Sequence, residues 1–184
     1  MKNKLKLMMS ATGLISVLAL PGLAQASDGT ITFAGAVSGS TCTVVLNGSA
    51  SSTGTVTLPT VSLSQLASAG ATAGATHFTL DLSGCTNNSL VNAFFESGAG
   101  VDPATGNLIN TTAGGATNVV VQLFPANNLT TQIKPGLTSQ AKAPDVTGTS
   151  PFSGTLNYVA QYYALAAATA GAFSSPVTYS LTYN

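Results

Sequence analysis

The chain has no tryptophan and no arginine, a single histidine, and only 5% charged residues among its 184. Each absence removes a class of function. Binding a nucleic acid requires a basic face that displaces counterions, yet after the first six residues the only basic side chains are Lys134 and Lys142. Nucleic-acid binding is therefore excluded, and polybasic attachment to a membrane surface fails for the same reason. A serine or cysteine triad needs a histidine base oriented by a third group. His77 is the one candidate, and it sits directly before the apolar run Phe78-Thr79-Leu80, where a strand-edge histidine is the simpler reading. The carboxylates Asp28, Asp81, Glu96, Asp102 and Asp145 are scattered, so their spacing gives no facing pair of the kind glycoside hydrolysis uses. No GxGxxG, P-loop, HExxH or GxSxG motif is present. The sequence thus points to no enzymatic activity, no cofactor and no catalytic metal.

What is present begins with a leader. Met1 to Lys6 carries three lysines, Leu7 to Leu20 is apolar, and Pro21-Gly22 precedes Ala24-Gln25-Ala26, which has the small-x-small form of a cleavage site. Residues 1–26 read as a secretory signal peptide cut after Ala26. The alternative is a membrane anchor, for which the apolar run is short; no later run is long enough to cross a bilayer. From Ser27 onward two lysines stand against five carboxylates, a net charge of −3. So little charge favours association, a liability in a cytosolic monomer but tolerable in a chain that assembles outside the cytoplasm. Disorder fits poorly, because disordered chains are charged and poor in apolar residues. Cys42 and Cys85 are the two cysteines, and in an exported chain an even pair reads as one disulfide. Such a bridge closes a loop of about 43 residues and stabilises the fold by about 4 kcal/mol on the chain-entropy account. The other reading, a metal site, needs more ligands than two thiols and His77 supply.

The dominant pattern is period two. Ile31, Phe33, Gly35 and Val37 alternate with Thr32, Ala34 and Ala36; Phe78, Leu80 and Leu82 with Thr79, Asp81 and Ser83; Val119, Val121 and Leu123 with Val120, Gln122 and Phe124. Leu156, Tyr158, Ala160, Tyr162 and Ala164 form a fourth set, and Val177, Tyr179, Leu181 and Tyr183 a fifth. Turn-forming residues fill Asn47-Gly48-Ser49, Ser83-Gly84, Glu96 to Gly100, Asp102 to Asn107, Ala113 to Ala116 and Lys134 to Ser153. The last is long enough to hold a short edge strand or a variable loop, and the stretches Glu96 to Ala116 and Gln132 to Pro151 read as exposed surface. One helical turn fits Val61 to Gly70, where Leu63 and Leu66 are three apart. Ala164 to Ala172 is helical by propensity but reads as a strand end and hairpin between β-rich runs. Short strands with turns between them make an all-β sandwich. Four Asn-x-Ser/Thr matches, at Asn47, Asn87, Asn110 and Asn128, serve as surface-loop markers.

Taken in order, Gly29-Thr-Ile-Thr-Phe-Ala-Gly-Ala-Val37, Thr41-Cys42-Thr43-Val44, Phe78-Thr-Leu-Asp-Leu-Ser-Gly-Cys85, Tyr158-Val-Ala-Gln-Tyr-Tyr-Ala164 and Pro176-Val-Thr-Tyr-Ser-Leu-Thr-Tyr-Asn184 resemble chaperone–usher fimbrial pilins. The resemblance covers everything after the leader and is nearest to type 1 fimbrial major subunits. It implies an incomplete immunoglobulin-like β-sandwich lacking its last strand, with an N-terminal donor-strand extension at residues 27–38 and a pilin domain at 39–184. The missing strand leaves a groove that a periplasmic chaperone fills first and the N-terminal strand of the next subunit fills at the outer-membrane usher. The partners implied are neighbouring pilin subunits in a homopolymer, the chaperone and the usher, on a route through the periplasm to the cell surface.

The residues fit both halves of such an exchange. Ile31, Phe33 and Val37 offer apolar side chains on one face of the donor strand, with Gly35 where only a small group enters; each apolar side chain buried contributes roughly 1.5–3 kcal/mol. Val177, Tyr179, Leu181 and Tyr183 border the accepting groove, and Asn184 presents the terminal carboxylate to the chaperone. From the residues alone, the two segments read instead as the first and last core strands of a complete sandwich; the whole-chain resemblance turns the reading towards polymerisation. Only Ser27 and Asp28 precede Gly29, so the extension is short, and no room exists before the pilin domain for a receptor-binding one. A secreted carbohydrate-binding β-sandwich is the alternative function. It calls for exposed aromatic rings, whereas tryptophan is absent and most tyrosines fall in the strand pattern.

Overall fold

The computed structural model describes Thr32, Gly39, residues 41–86 and residues 90–184. The leader with Ala26, and Ile31, Phe33, Gly35 and Val37, lie outside the described residues.

The alternating runs form strands, as their period requires. In chain order the strands are β1 (Thr43–Leu46), β2 (Thr72–Cys85), β3 (Val91–Phe95), β4 (Leu108–Ile109), β5 (Val119–Pro125), β6 (Phe152–Ala164) and β7 (Tyr179–Tyr183). One sheet has the order β1-β2-β6-β5-β4 and the other pairs β3 with β7; every pairing is antiparallel. The long β2–β6 pair sets the register, with Phe78 opposite Tyr158 and Leu80 opposite Leu156. Side chains alternate across a strand, so Phe78, Leu80 and Leu82 enter the core together with Leu156, Tyr158 and Ala160, while His77 is exposed. Val91, Ala93 and Phe95 of the second sheet close the core from the other side. Tyr158 marks the centre: its ring stacks on Phe78 at 5.3 Å and meets Phe95 edge-on at 5.2 Å.

Local chemistry shapes the irregular parts. The pairing of β2 with β6 slips between Ala73 and Thr76 and again between Leu82 and Cys85. A glycine with positive φ sits in each slip, Gly74 at 65° and Gly84 at 61°, which is the backbone a bulge demands and a β-carbon resists. Ser83-Gly84 is therefore a bulge inside β2, where the sequence suggested a turn. Leu63–Leu66 forms a single 3-10 turn, inside the stretch Val61 to Gly70 where the sequence allows one helical turn. Residues 165–172 contain no strand and no hairpin. They are an irregular crossing tied down by Leu165 N–H to Asn118 O, Ala168 N–H to Leu66 O and Thr169 N–H to Thr117 O; small alanine side chains let the backbone come that close.

The segment from Lys134 to Ser153 is exposed at most of its positions up to the start of β6 at Phe152, and it makes a single bridge rather than an edge strand. It lies along the outer edge of β3: Val91 and Val146 exchange two hydrogen bonds of 2.8 Å, and Gly136 N–H donates to Phe95 O. Gln140, buried, completes the edge by accepting from Phe95 N–H and donating to Phe95 O, both at 3.0 Å. Asn92, fully buried, donates to Ala143 O at 2.6 Å and Asp145 Oδ1 at 2.7 Å. An open strand edge invites pairing with other chains, and here the β3 edge is covered by backbone bonds from Val146 and Gly136 and by the Gln140 side chain. The stretch Glu96 to Ala116 is also less exposed than its composition suggested, since Val101, Asn107 and Leu108 are buried.

Candidate functional site

The opposite edge of the small sheet is treated differently. Among the described residues β7 has β3 as its one strand neighbour. Leu90 and Asn184 exchange two hydrogen bonds, and Glu96 N–H donates to Thr178 O, so the even-numbered residues of β7 turn their backbone groups towards β3. In an antiparallel ladder the alternate residues point the other way. The N–H and C=O groups of Tyr179 and Leu181 thus face away from β3 with no strand partner among the described residues.

What they face is a groove of about 740 Å³ between the two sheets. Its floor is core: Phe78, Leu80, Phe95, Val121, Leu123 and Ala160. One wall is β7 with the preceding residues 173–178; the other is β1 and the segment from Ser52 to Leu58, where Val56 and Leu58 point inward. Phe173, Val177, Tyr179, Leu181 and Tyr183 pack on the core yet remain half-buried. A second cavity of about 290 Å³ shares Leu58 and Phe173 with the first. Burying apolar area stabilises by about 25 cal/mol per Å², so a core left open along a strand edge is a costly feature unless something covers it.

The walls are held from outside the groove. Ser174 O accepts from Thr111 N–H at 2.8 Å and from Thr111 Oγ1 at 2.9 Å; Ser174 N–H donates to Asn110 Oδ1; and Ser175 Oγ donates to Gly100 O at 3.0 Å. The Asn110 amide is occupied as well, donating to Ala116 O and Ala172 O. Phe173 packs edge-on against Tyr162 at 5.7 Å. At the far end, Cys42 and Cys85 form a disulfide of 2.05 Å that clamps the start of β1 to the end of β2. Tyr183 Oη accepts from Cys42 N–H at 3.1 Å, and Tyr179 Oη donates to Ser52 O at 2.8 Å. Burial pushes the pKa of Tyr179 and Tyr162 upward, and that of Tyr158 further still. Among the described residues no group of three or more His, Cys, Asp or Glu is placed to hold a metal ion.

Val177, Tyr179 and Leu181 therefore line one wall together, with Tyr183 beyond them packed on the core and Asn184 exposed at the strand's end. β7 itself begins at Tyr179 rather than Val177. Sequence reading missed the opposite wall. Val56-Thr57-Leu58 does alternate, but the pattern lasts three residues and stops at Pro59. It also missed Phe173, an isolated aromatic among small residues. Four of the five tyrosines (Tyr158, Tyr162, Tyr179 and Tyr183) pack in the core or on it, which leaves few rings for stacking on sugars.

A family model described as "FimA: Type-1 fimbrial protein, A" matches residues 58–184. The chain belongs to the type-1 fimbrial protein family. Curated relatives agree. The major fimbrial subunit SMF-1 of Stenotrophomonas maltophilia is 45% identical over 170 residues, covering 90% of this chain and 98% of that protein. The F17 fimbrial protein of Escherichia coli is 44% identical over 163 residues, covering 86% and 88%. Among solved structures, a chaperone–usher pilus subunit shares the fold with a TM-score of 0.58 at 21% identity, over 86% of this chain and 96% of that one. The P pilus rod subunit PapA does so at 0.55 and 20%, over 78% and 99%. The protein is a pilin: an immunoglobulin-like structural subunit of surface fimbriae, built to join other pilin subunits.

Proposed function

We propose that subunits of this fimbrial protein join by donor-strand exchange, with residues 27–37 of one subunit filling the groove of the next. The observation that carries the reading is the pairing of an unpartnered strand edge, at Tyr179 and Leu181, with an apolar groove on the same side of that strand. An inserted strand supplies both missing parts at once. Its backbone completes the ladder, and alternate side chains enter the groove. Ile31, Phe33 and Val37 are the apolar groups offered, and Gly35 meets the point that admits no side chain. Residues 39–184 are then the pilin domain that receives the strand. Before assembly a periplasmic chaperone covers the groove and holds the Asn184 carboxylate, after cleavage of the leader behind Ala26; an outer-membrane usher exchanges it for the next subunit. The disulfide fastens β1 while its neighbouring wall is uncovered, and the role of the chain is structural throughout, with no catalytic chemistry.

Cross-linking tests the exchange. One cysteine placed at Phe33 and one on the groove wall at Val56 or Leu181 should give a ladder of multimers in oxidised fimbriae, resolved without reducing agent. Cross-links confined within single subunits, for every wall position tried, would overturn the proposal.

A further inference from the structure

Tyr179 and Tyr183 lie four residues apart on β7, so both project from the same face. Each hydroxyl reaches across to a backbone group on the far side: Tyr179 Oη donates to Ser52 O of the opposite wall at 2.8 Å, and at the end of the groove Cys42 N–H, directly before β1, donates to Tyr183 Oη at 3.1 Å. Among the described residues no ladder joins these walls, because β7 pairs with β3 and β1 with β2. Two strand spacings make a gap of about 9.5 Å, and an extended tyrosine with one hydrogen bond spans a distance of that order. Each hydroxyl also keeps capacity in hand. A tyrosine hydroxyl both donates and accepts, so Tyr183 can still donate and Tyr179 can still accept.

We propose that Tyr179 and Tyr183 are positioning residues that hold the groove at the width of one strand, and so speed entry of the donor strand of a second copy of this chain. The inference rests on the donor-strand reading above. Val56 and Leu58 hold their segment by packing on the core, and the Tyr179 bond ties its first residue, Ser52, directly to β7; the Tyr183 bond ties the start of β1 in the same way. Burial keeps the Tyr179 hydroxyl protonated by raising its pKa, so the donated bond persists through neutral and mildly alkaline conditions.

The experiment follows a fluorescent peptide of residues 27–37 entering the dilute exported chain, Ser27–Asn184. Wild type is compared with Tyr179→Phe, Tyr183→Phe, the double variant, and Tyr163→Phe as a control. Phenylalanine keeps the ring and removes only the hydroxyl. Each groove variant should slow association by about fivefold, the equivalent of one neutral hydrogen bond. The double variant should be slower still, and Tyr163→Phe unchanged. Association rates equal to wild type, with only melting temperature lowered, would show plain structural bonds and overturn the proposal. So would faster association, which marks a latch that the donor must break. If wild type itself fails to take up the peptide, the donor-strand reading falls first and the proposal falls with it; unchanged variants beside a binding wild type sink the positioning role alone.

Discussion

Gly100 and Pro176 approach so closely that a β-carbon on residue 100 would overlap the Pro176 carbonyl oxygen. Ser175 Oγ, next to it, donates to Gly100 O, and both Ser175 and Pro176 line the groove. The groove wall is therefore seated on a glycine. Gly100→Ala should push residues 175–176 inward, at a cost of about 1–3 kcal/mol of the kind seen when a packed site is overfilled. Melting temperature should fall and donor-peptide affinity should fall with it. An unchanged affinity would mean that this wall does not shape the groove.

Gln140 substitutes for a strand along β3, satisfying both backbone groups of Phe95. Gln140→Ala leaves a buried N–H without its acceptor, which costs about 1–3 kcal/mol. Gln140→Glu should also fall short of wild type, since a carboxylate accepts from Phe95 N–H but sets a buried charge against Phe95 O instead of donating to it. Denaturant titration of the strand-filled protein checks both. A Glu variant as stable as wild type would contradict this account of the edge.

Tyr158 Oη is buried without a hydrogen-bond partner among the described residues. The nearby Ala93 amide favours the phenolate slightly, but it already donates to Asn92 Oδ1 at 2.9 Å. Burial dominates and pushes the pKa of the hydroxyl above the ordinary tyrosine value. A raised folded pKa means stability that is whole below the unfolded value of about 10 and is lost as pH climbs beyond it. Tyr158→Phe should therefore be neutral or stabilising by up to about 1 kcal/mol at pH 7, and should shift alkaline unfolding to higher pH. Lower stability at pH 7 together with an unchanged alkaline midpoint would contradict the assignment.

The Cys42–Cys85 bridge links residues 43 apart, so replacing both with serine should cost about 4 kcal/mol on the entropic account. The loss should be felt most at β1, which among the described residues has one strand neighbour. Hydrogen exchange in Thr43–Leu46 should accelerate more than in β5 or β6. Uniform acceleration would place the effect of the bridge in the unfolded state alone.

How much of this was legible in the sequence depends on the length of each alternating run. β2, β5 and β6 announce themselves because large apolar side chains repeat over five or more positions. β3 does not: Val91, Ala93 and Phe95 alternate properly, but Phe94 and a buried Asn92 blur the polar face. The burial of Asn92 depends on Ala143 and Asp145, some fifty residues away, and no local pattern reports that. The reading of Gln132 to Pro151 as exposed holds at most of its positions and fails at a few, for the same reason. Its polar composition hid Ile133, Gln140, Ala143 and Val146, all buried against β3 or the core. Of the groove, the β7 wall was readable from its alternation, while the wall from Ser52 to Leu58 offers two inward residues and then a proline. That the core lies open between them is a property of pairing, visible only once β7 is seen with one neighbour.

The missing strand is the central claim, and the most direct test is thermal unfolding of residues 39–184 with and without a synthetic peptide of residues 27–37. The account expects a weakly cooperative, low-melting protein alone and a large rise in melting temperature with a sharp transition once the peptide is bound. A stable, cooperatively unfolding monomer that ignores the peptide would contradict it and would mean that the sandwich is already complete.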